Sequence, residues 1–192
     1  MRICVFCGSN PGRSPAYATA ARDLGALLAS RGIGLVYGGG NVGLMGIVAD
    51  AALAGGGEVI GVIPCALVDR ELAHRGLTEL RITASMHERK QLMHDLSDAF
   101  IALPGGFGTL DELFETLTWA QLGVHTKPSG LLDVEGFWQP LVRFIESQVA
   151  AELVRPQHAS MLLHSASAVD LLSRFESYRA PSLTKWATRD EV

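Results

Sequence analysis

Apolar residues along this 192-residue chain alternate between two kinds of segment. Short, almost continuously apolar or β-branched runs occupy 3–6, 33–37, 58–63, 80–83, 99–103 and 130–132. Between them lie longer stretches at 15–30, 44–54, 85–96, 109–122 and 137–151, whose apolar positions recur at helical spacing. A last helix is expected over 168–177, after an irregular segment around 155–164. Strands that are apolar throughout, each followed by an amphipathic helix, predict an α/β fold: a parallel sheet with helices on both faces. No linker or repeat interrupts the pattern, so one domain is expected over 1–180, with a loose polar tail over 181–192.

Composition narrows the function classes. Hydrophobic residues make up 48% and charged residues 19%, a globular balance. The formal net charge of −4, with acids and bases mixed along the chain, argues against a nucleic-acid binder, which needs clustered Lys and Arg. A small anion remains compatible, because main-chain N–H groups and a few local cations can hold one. Met1-Arg2 leads straight into a short apolar strand, and no apolar run reaches membrane-spanning length, so no membrane role and a cytoplasmic location are expected. Three cysteines (Cys4, Cys7, Cys65) do not make a disulfide framework. Cys4 and Cys7 form a lone C-x-x-C inside a strand rather than at a helix start, which fits two small buried residues better than a redox pair.

In such a sheet ligands bind beyond the carboxyl ends of the strands, and three of the loops there are rich in small residues. They are 7–12, 38–43 and 104–109. Gly38, Gly40 and Gly43 spell G-x-G-x-x-G between strand and helix, the pattern of a dinucleotide site. Yet they follow the second strand, and the next strand carries its acid, Glu58, at the start instead of the end. A tight turn with close packing accounts for them equally well. Pro104-Gly105-Gly106-Phe107-Gly108-Thr109 offers several N–H groups and a hydroxyl at a helix start, a nest suited to a monophosphate, and the missing lysine rules out a Walker loop. Thr109 to Glu112 reads as T-x-x-E, a capping box with Thr109 at the N-cap, while Glu112 one turn from the nest could also serve a glycosyl reaction. Ser85 to Glu88 is a second capping box, followed by Arg89 and Lys90. Two cations in a first helical turn oppose the helix dipole, so they are either a solvated pair or aimed at a phosphate or Glu112.

Ser85-Met86-His87-Glu88-Arg89-Lys90 together with Pro104-Gly105-Gly106-Phe107-Gly108-Thr109-Leu110-Asp111-Glu112 resembles the paired signature of the LOG ("Lonely Guy") family, cytokinin riboside 5′-monophosphate phosphoribohydrolases often labelled lysine decarboxylases. The similarity extends through Val5 to Ser9, Tyr37 to Gly40, Thr118 to Gly123 and Lys127-Pro128. The resemblance implies a Rossmann-like, doubly wound homodimer acting on a nucleoside 5′-monophosphate without cofactor or metal. It implies Arg89 and Glu112 as the catalytic pair, with Arg89 orienting Glu112. It further implies substrate contacts from Glu71, Lys90, Gly105, Gly106, Phe107, Gly108, Thr109, Leu110, Asp111 and Thr118. Ser9 and the loop Gly38-Gly39-Gly40 are added as neighbours of the phosphate. Met86, Met93 and Leu110 are candidate lining for an apolar base. Phe107 and Asp111 stand where the family often has Tyr and Glu.

Decarboxylation finds no lysine in a pyridoxal-phosphate setting. His87 and His94, about two helical turns apart, lack further ligands for a metal and are expected at a surface or interface. Two other readings stay open: a general nucleotide nucleosidase of salvage, and a nucleotide or molybdenum-cofactor carrier that uses the same loops without chemistry.

Overall fold

A computed structural model describes residues 1–68 and 72–181. Glu71, and the tail beyond Pro181, lie outside the described residues. Seven strands form one sheet: β1 (Arg2–Phe6), β2 (Gly34–Tyr37), β3 (Val59–Pro64), β4 (Glu79–Thr83), β5 (Ala99–Ala102), β6 (Ser129–Leu132) and β7 (Leu162–Ser165). Every ladder is parallel and the order is β4-β3-β2-β1-β5-β6-β7. The helices are α1 (Pro15–Ser30), α2 (Gly43–Ala54), α3 (Met86–Asp95), α4 (Phe107–Gln121), α5 (Gln139–Ala150), α6 (Pro156–Ala159) and α7 (Ala168–Ser177).

Side chains alternate across each strand, and the two faces feed separate cores. Ile3 and Val5 pack with Leu24 and Leu28 of α1, Val48 of α2 and Phe175 of α7. Cys4 and Phe6 pack with Met93 of α3, Leu113 of α4 and Trp138 beside α5. This is the doubly wound, Rossmann-like arrangement expected. From β1 the chain steps to β2 on one side and later returns to β5 on the other, so the topological switch point lies between β1 and β5.

Three sequence expectations need correction. The segment around 155–164 is not irregular: it holds the short α6 and the edge strand β7. Only Leu162 and Leu163 are apolar in β7 and all four of its residues are half-buried, too little pattern to mark a strand. Helix α4 starts at Phe107, with Gly106 as N-cap and no side-chain cap. Thr109 is therefore inside the first turn, and the capping box read from T-x-x-E does not form. His94 is not at a surface: it is buried against Phe100, Trp119 and His125.

Candidate active site

The glycine-rich loops meet at the switch point. Gly8 N–H donates to Pro104 O (3.1 Å) and Leu44 N–H to Gly8 O (3.0 Å), which ties the loops after β1, β2 and β5 together. They border a cleft of about 230 Å³. Helix α3 enters it with a well-made cap. The Ser85 hydroxyl accepts from Glu88 N–H (3.2 Å), and Glu88 Oε2 accepts from Ala84 N–H (2.7 Å), one residue before the amide a capping box would predict.

That cap sets the direction of Arg89, which is only 5% exposed. Its Nε donates to Val62 O (3.1 Å) and its Nη2 to Gly38 O (2.9 Å), while Nη1 lies 3.7 Å from Met86 Sδ. Main-chain carbonyls thus offset the cost of burying a guanidinium. A larger residue at Gly38 would displace the guanidinium, because a Cβ at that position would collide with Arg89 Nη2.

Across the cleft, α4 presents its first turn. The N–H groups of an uncapped helix start carry the positive end of the helix dipole. Thr109, 3% exposed, has a buried hydroxyl with no hydrogen-bond partner among the described residues, pressed against Gly105, where any side chain would collide with it. Glu112 follows one turn later and lines the same cleft as Arg89. Apolar walls come from Val5, Met45, Leu67 and Met86, and Phe107 stands at the mouth with its side chain 94% exposed. Cys7 closes the floor. Burial pushes its thiol well above the usual range, Glu112 adds to the rise and Arg89 partly opposes it, so it is a neutral wall.

Of the residues expected from sequence, Ser9, Met86, Arg89, Gly106, Phe107, Gly108, Thr109, Asp111 and Glu112 line this cleft. Others do not. Lys90, next to Arg89, turns away and bridges Asp111 (3.2 Å) and Glu115 (3.0 Å), clamping α3 to α4. Burial works against its charge, but the hydrogen bonds to Glu115 and Asp111 win and hold its pKa above the ordinary lysine value. Gly105 lies behind Thr109, and Gly39 and Gly40 lie behind Gly38, paired with 73–74. Leu110 packs into the core and Met93 is fully buried there, so neither lines the cleft. Thr118 is exposed on the outer side of α4, donating to Phe114 O (2.7 Å). Gly38, read from sequence as part of a glycine loop, also lines the cleft, whereas sequence reading missed Met45 and Leu67, which only packing reveals. Glu58, the acid a dinucleotide would need, pairs with Arg2 (2.8 Å) at the opposite end of the strands.

Fold and cleft together define a Rossmann-like protein whose cleft lies between a helix start, a buried guanidinium and a carboxylate. The chain matches, over residues 45–175, the family model described as "Possible lysine decarboxylase". It is 50% identical over 188 residues to the cytokinin riboside 5′-monophosphate phosphoribohydrolase LOG3 of Arabidopsis thaliana, covering 98% of this chain and 87% of that one. It is 49% identical over 177 residues to the enzyme of the same description, LOG, from Oryza sativa subsp. japonica, covering 92% and 73%. Among solved structures, the molybdenum cofactor carrier protein of Chlamydomonas reinhardtii aligns with a TM-score of 0.70 at 20% identity, covering 92% of this chain and 98% of that chain. The molybdenum cofactor binding protein of Rippkaea orientalis aligns at 0.67 and 23%, covering 92% and 95%. These two share the fold. The chain belongs to the LOG family.

Proposed function

We propose that the protein hydrolyses the N-glycosidic bond of cytokinin riboside 5′-monophosphates, and of AMP, to free base and ribose 5-phosphate. The observation that carries this is the first turn of α4, which has no side-chain cap and lines, through Phe107, Gly108 and Thr109, a cleft that also holds Arg89 and Glu112. A phosphate accepts from the N–H groups of that turn, and the helix dipole favours its charge. The ribose then lies toward Glu112. As the bond from C1′ to the base nitrogen breaks, positive charge develops on the sugar, and the Glu112 carboxylate stabilises it or takes a proton from the attacking water. Water oxygen bonds to C1′, and the leaving nitrogen ends protonated. Arg89 is held rigid by two carbonyls and keeps the site electropositive against both phosphate and carboxylate. The names of relatives about half identical over nearly the whole chain support the same reaction.

A homodimer fits the surface. Phe114 and Leu117 of α4 and Ile145 of α5 border an apolar groove, with Phe144 exposed beside it and Leu153 78% exposed. A second copy would cover them. Among the described residues no helix is long and apolar enough to cross a membrane, and three cysteines without pairing favour a cytoplasmic site.

Base release from AMP and from isopentenyladenosine monophosphate, followed by HPLC, tests the reading. Faster release of isopentenyladenine than of adenine is expected. Equal rates would indicate a broad salvage nucleosidase, and binding without release a carrier. Glu112→Gln should lower kcat by about 10²–10⁴-fold with an unchanged circular dichroism spectrum; near-normal turnover would remove Glu112 from the mechanism.

A further inference from the structure

We infer that His74 is a positioning residue for this reaction, holding the Gly38–Asn41 loop and, through the Gly38 carbonyl, the guanidinium of Arg89. The inference rests on the hydrolase reading above. After the 3₁₀ turn at Cys65–Leu67, residues 72–74 run antiparallel beside the loop that follows β2. Asn41 N–H donates to Leu72 O (3.0 Å) and His74 N–H to Gly39 O (2.9 Å), with a bridge between Gly40 and Ala73. A loop of consecutive glycines has little rigidity of its own, so these bonds supply its shape. The next carbonyl upstream, that of Gly38, is the one that accepts from Arg89.

The strip 72–74 is itself fastened by a bond from Ala73 N–H to Val68 O (2.9 Å) and by the His74 side chain. His74 is buried, with Nε2 2.8 Å from Asp50 Oδ1 on α2 and Nδ1 accepting from Gly76 N–H (3.1 Å). Because Nδ1 accepts, the ring proton sits on Nε2 and points at Asp50. Both ring nitrogens are therefore committed, and the imidazole links α2 to the strip, the strip to the glycine loop, and the loop to Arg89. Neither His74 nor Asp50 lines the cleft. Their effect on catalysis is through geometry alone, where small displacements of a charged group matter.

The test is a double-mutant cycle of His74→Ala and Asp50→Ala, read by steady-state base release and by hydrogen exchange at the Asn41 amide. Each single variant should lower kcat about ten-fold with KM nearly unchanged, and the double variant should be no worse than either. Exchange at Asn41 should accelerate in all three. Arg174→Ala serves as the comparison: it removes a bond to His164 O (2.9 Å) at the far edge of the sheet, so it should cost stability while leaving kcat and Asn41 exchange as in the wild type. Unchanged Asn41 exchange, additive losses, or an equal kcat loss in Arg174→Ala would each overturn the inference. If the wild type released no base, the proposed function would fall, and Asn41 exchange alone would decide whether His74 holds the loop.

Discussion

At the scale of single residues, the cleft depends on groups that could not be other types. Gly38 is the clearest. An added methyl would collide with Arg89 Nη2 and lie 3.2 Å from Met45 Sδ, so Nη2 must shift from the Gly38 carbonyl. Gly38→Ala should therefore cut kcat by about 10²-fold, more than its loss of stability explains; measuring kcat beside the melting temperature separates the two. Arg89, Thr109 and Glu112 were readable as candidates because residue type and local spacing marked them. Their directions were not. Neighbours on a helix point about 100° apart, so Arg89 enters the cleft while Lys90 binds Asp111 and Glu115 on its flank. Thr118, six residues beyond Glu112, faces outward by the same geometry. Nothing in a linear motif records that rotation.

At the scale of elements, helix starts do most of the positioning. The Ser85 cap holds the turn that carries Arg89, and replacing it with Ala should cost about 1 kcal/mol of stability. Denaturant unfolding of Ser85→Ala checks this, and a midpoint equal to the wild type would mean the cap is dispensable. Helix α4 works in the opposite way. Gly106 lets the helix begin two residues before Thr109, so the hydroxyl that pattern alone assigns to capping lies inside the first turn and the N–H groups of the helix start carry no side-chain cap. Most elements could be read from the strand–helix alternation, since their cores are continuous apolar runs. The pair α6 and β7 could not, because an edge strand needs only one protected side and β7 has little apolar signal.

At the scale of the whole molecule, the second core contains a pH-sensitive knot. His125 donates from Nε2 to Thr116 O (3.0 Å) and accepts at Nδ1 from Lys127 N–H (3.1 Å), so it is neutral. Burial pushes its pKa down to about 4; the Thr116 carbonyl works against the fall, and His94 and Lys127 add to it. Burial also lowers His94, with Lys127 helping and Asp95 opposing. In the unfolded chain a histidine takes its proton near pH 6.5. Between about 6.5 and 4 the unfolded state then binds more protons, so stability is full above that window and falls as pH drops through it. Urea midpoints from pH 7.5 to 4 should decline in this way and decline less in His125→Asn; a flat profile would show that His125 and His94 are not desolvated. The alternation of the central strand has a practical consequence of another kind. Cys4 and Cys7 feed opposite cores and are both buried with protonated thiols, whereas Cys65 is exposed, two residues before Leu67, which lines the cleft. A maleimide dye therefore has a single accessible attachment point among the described cysteines, two residues from a cleft-lining side chain, and fluorescence reporting of occupancy needs no cysteine-free background.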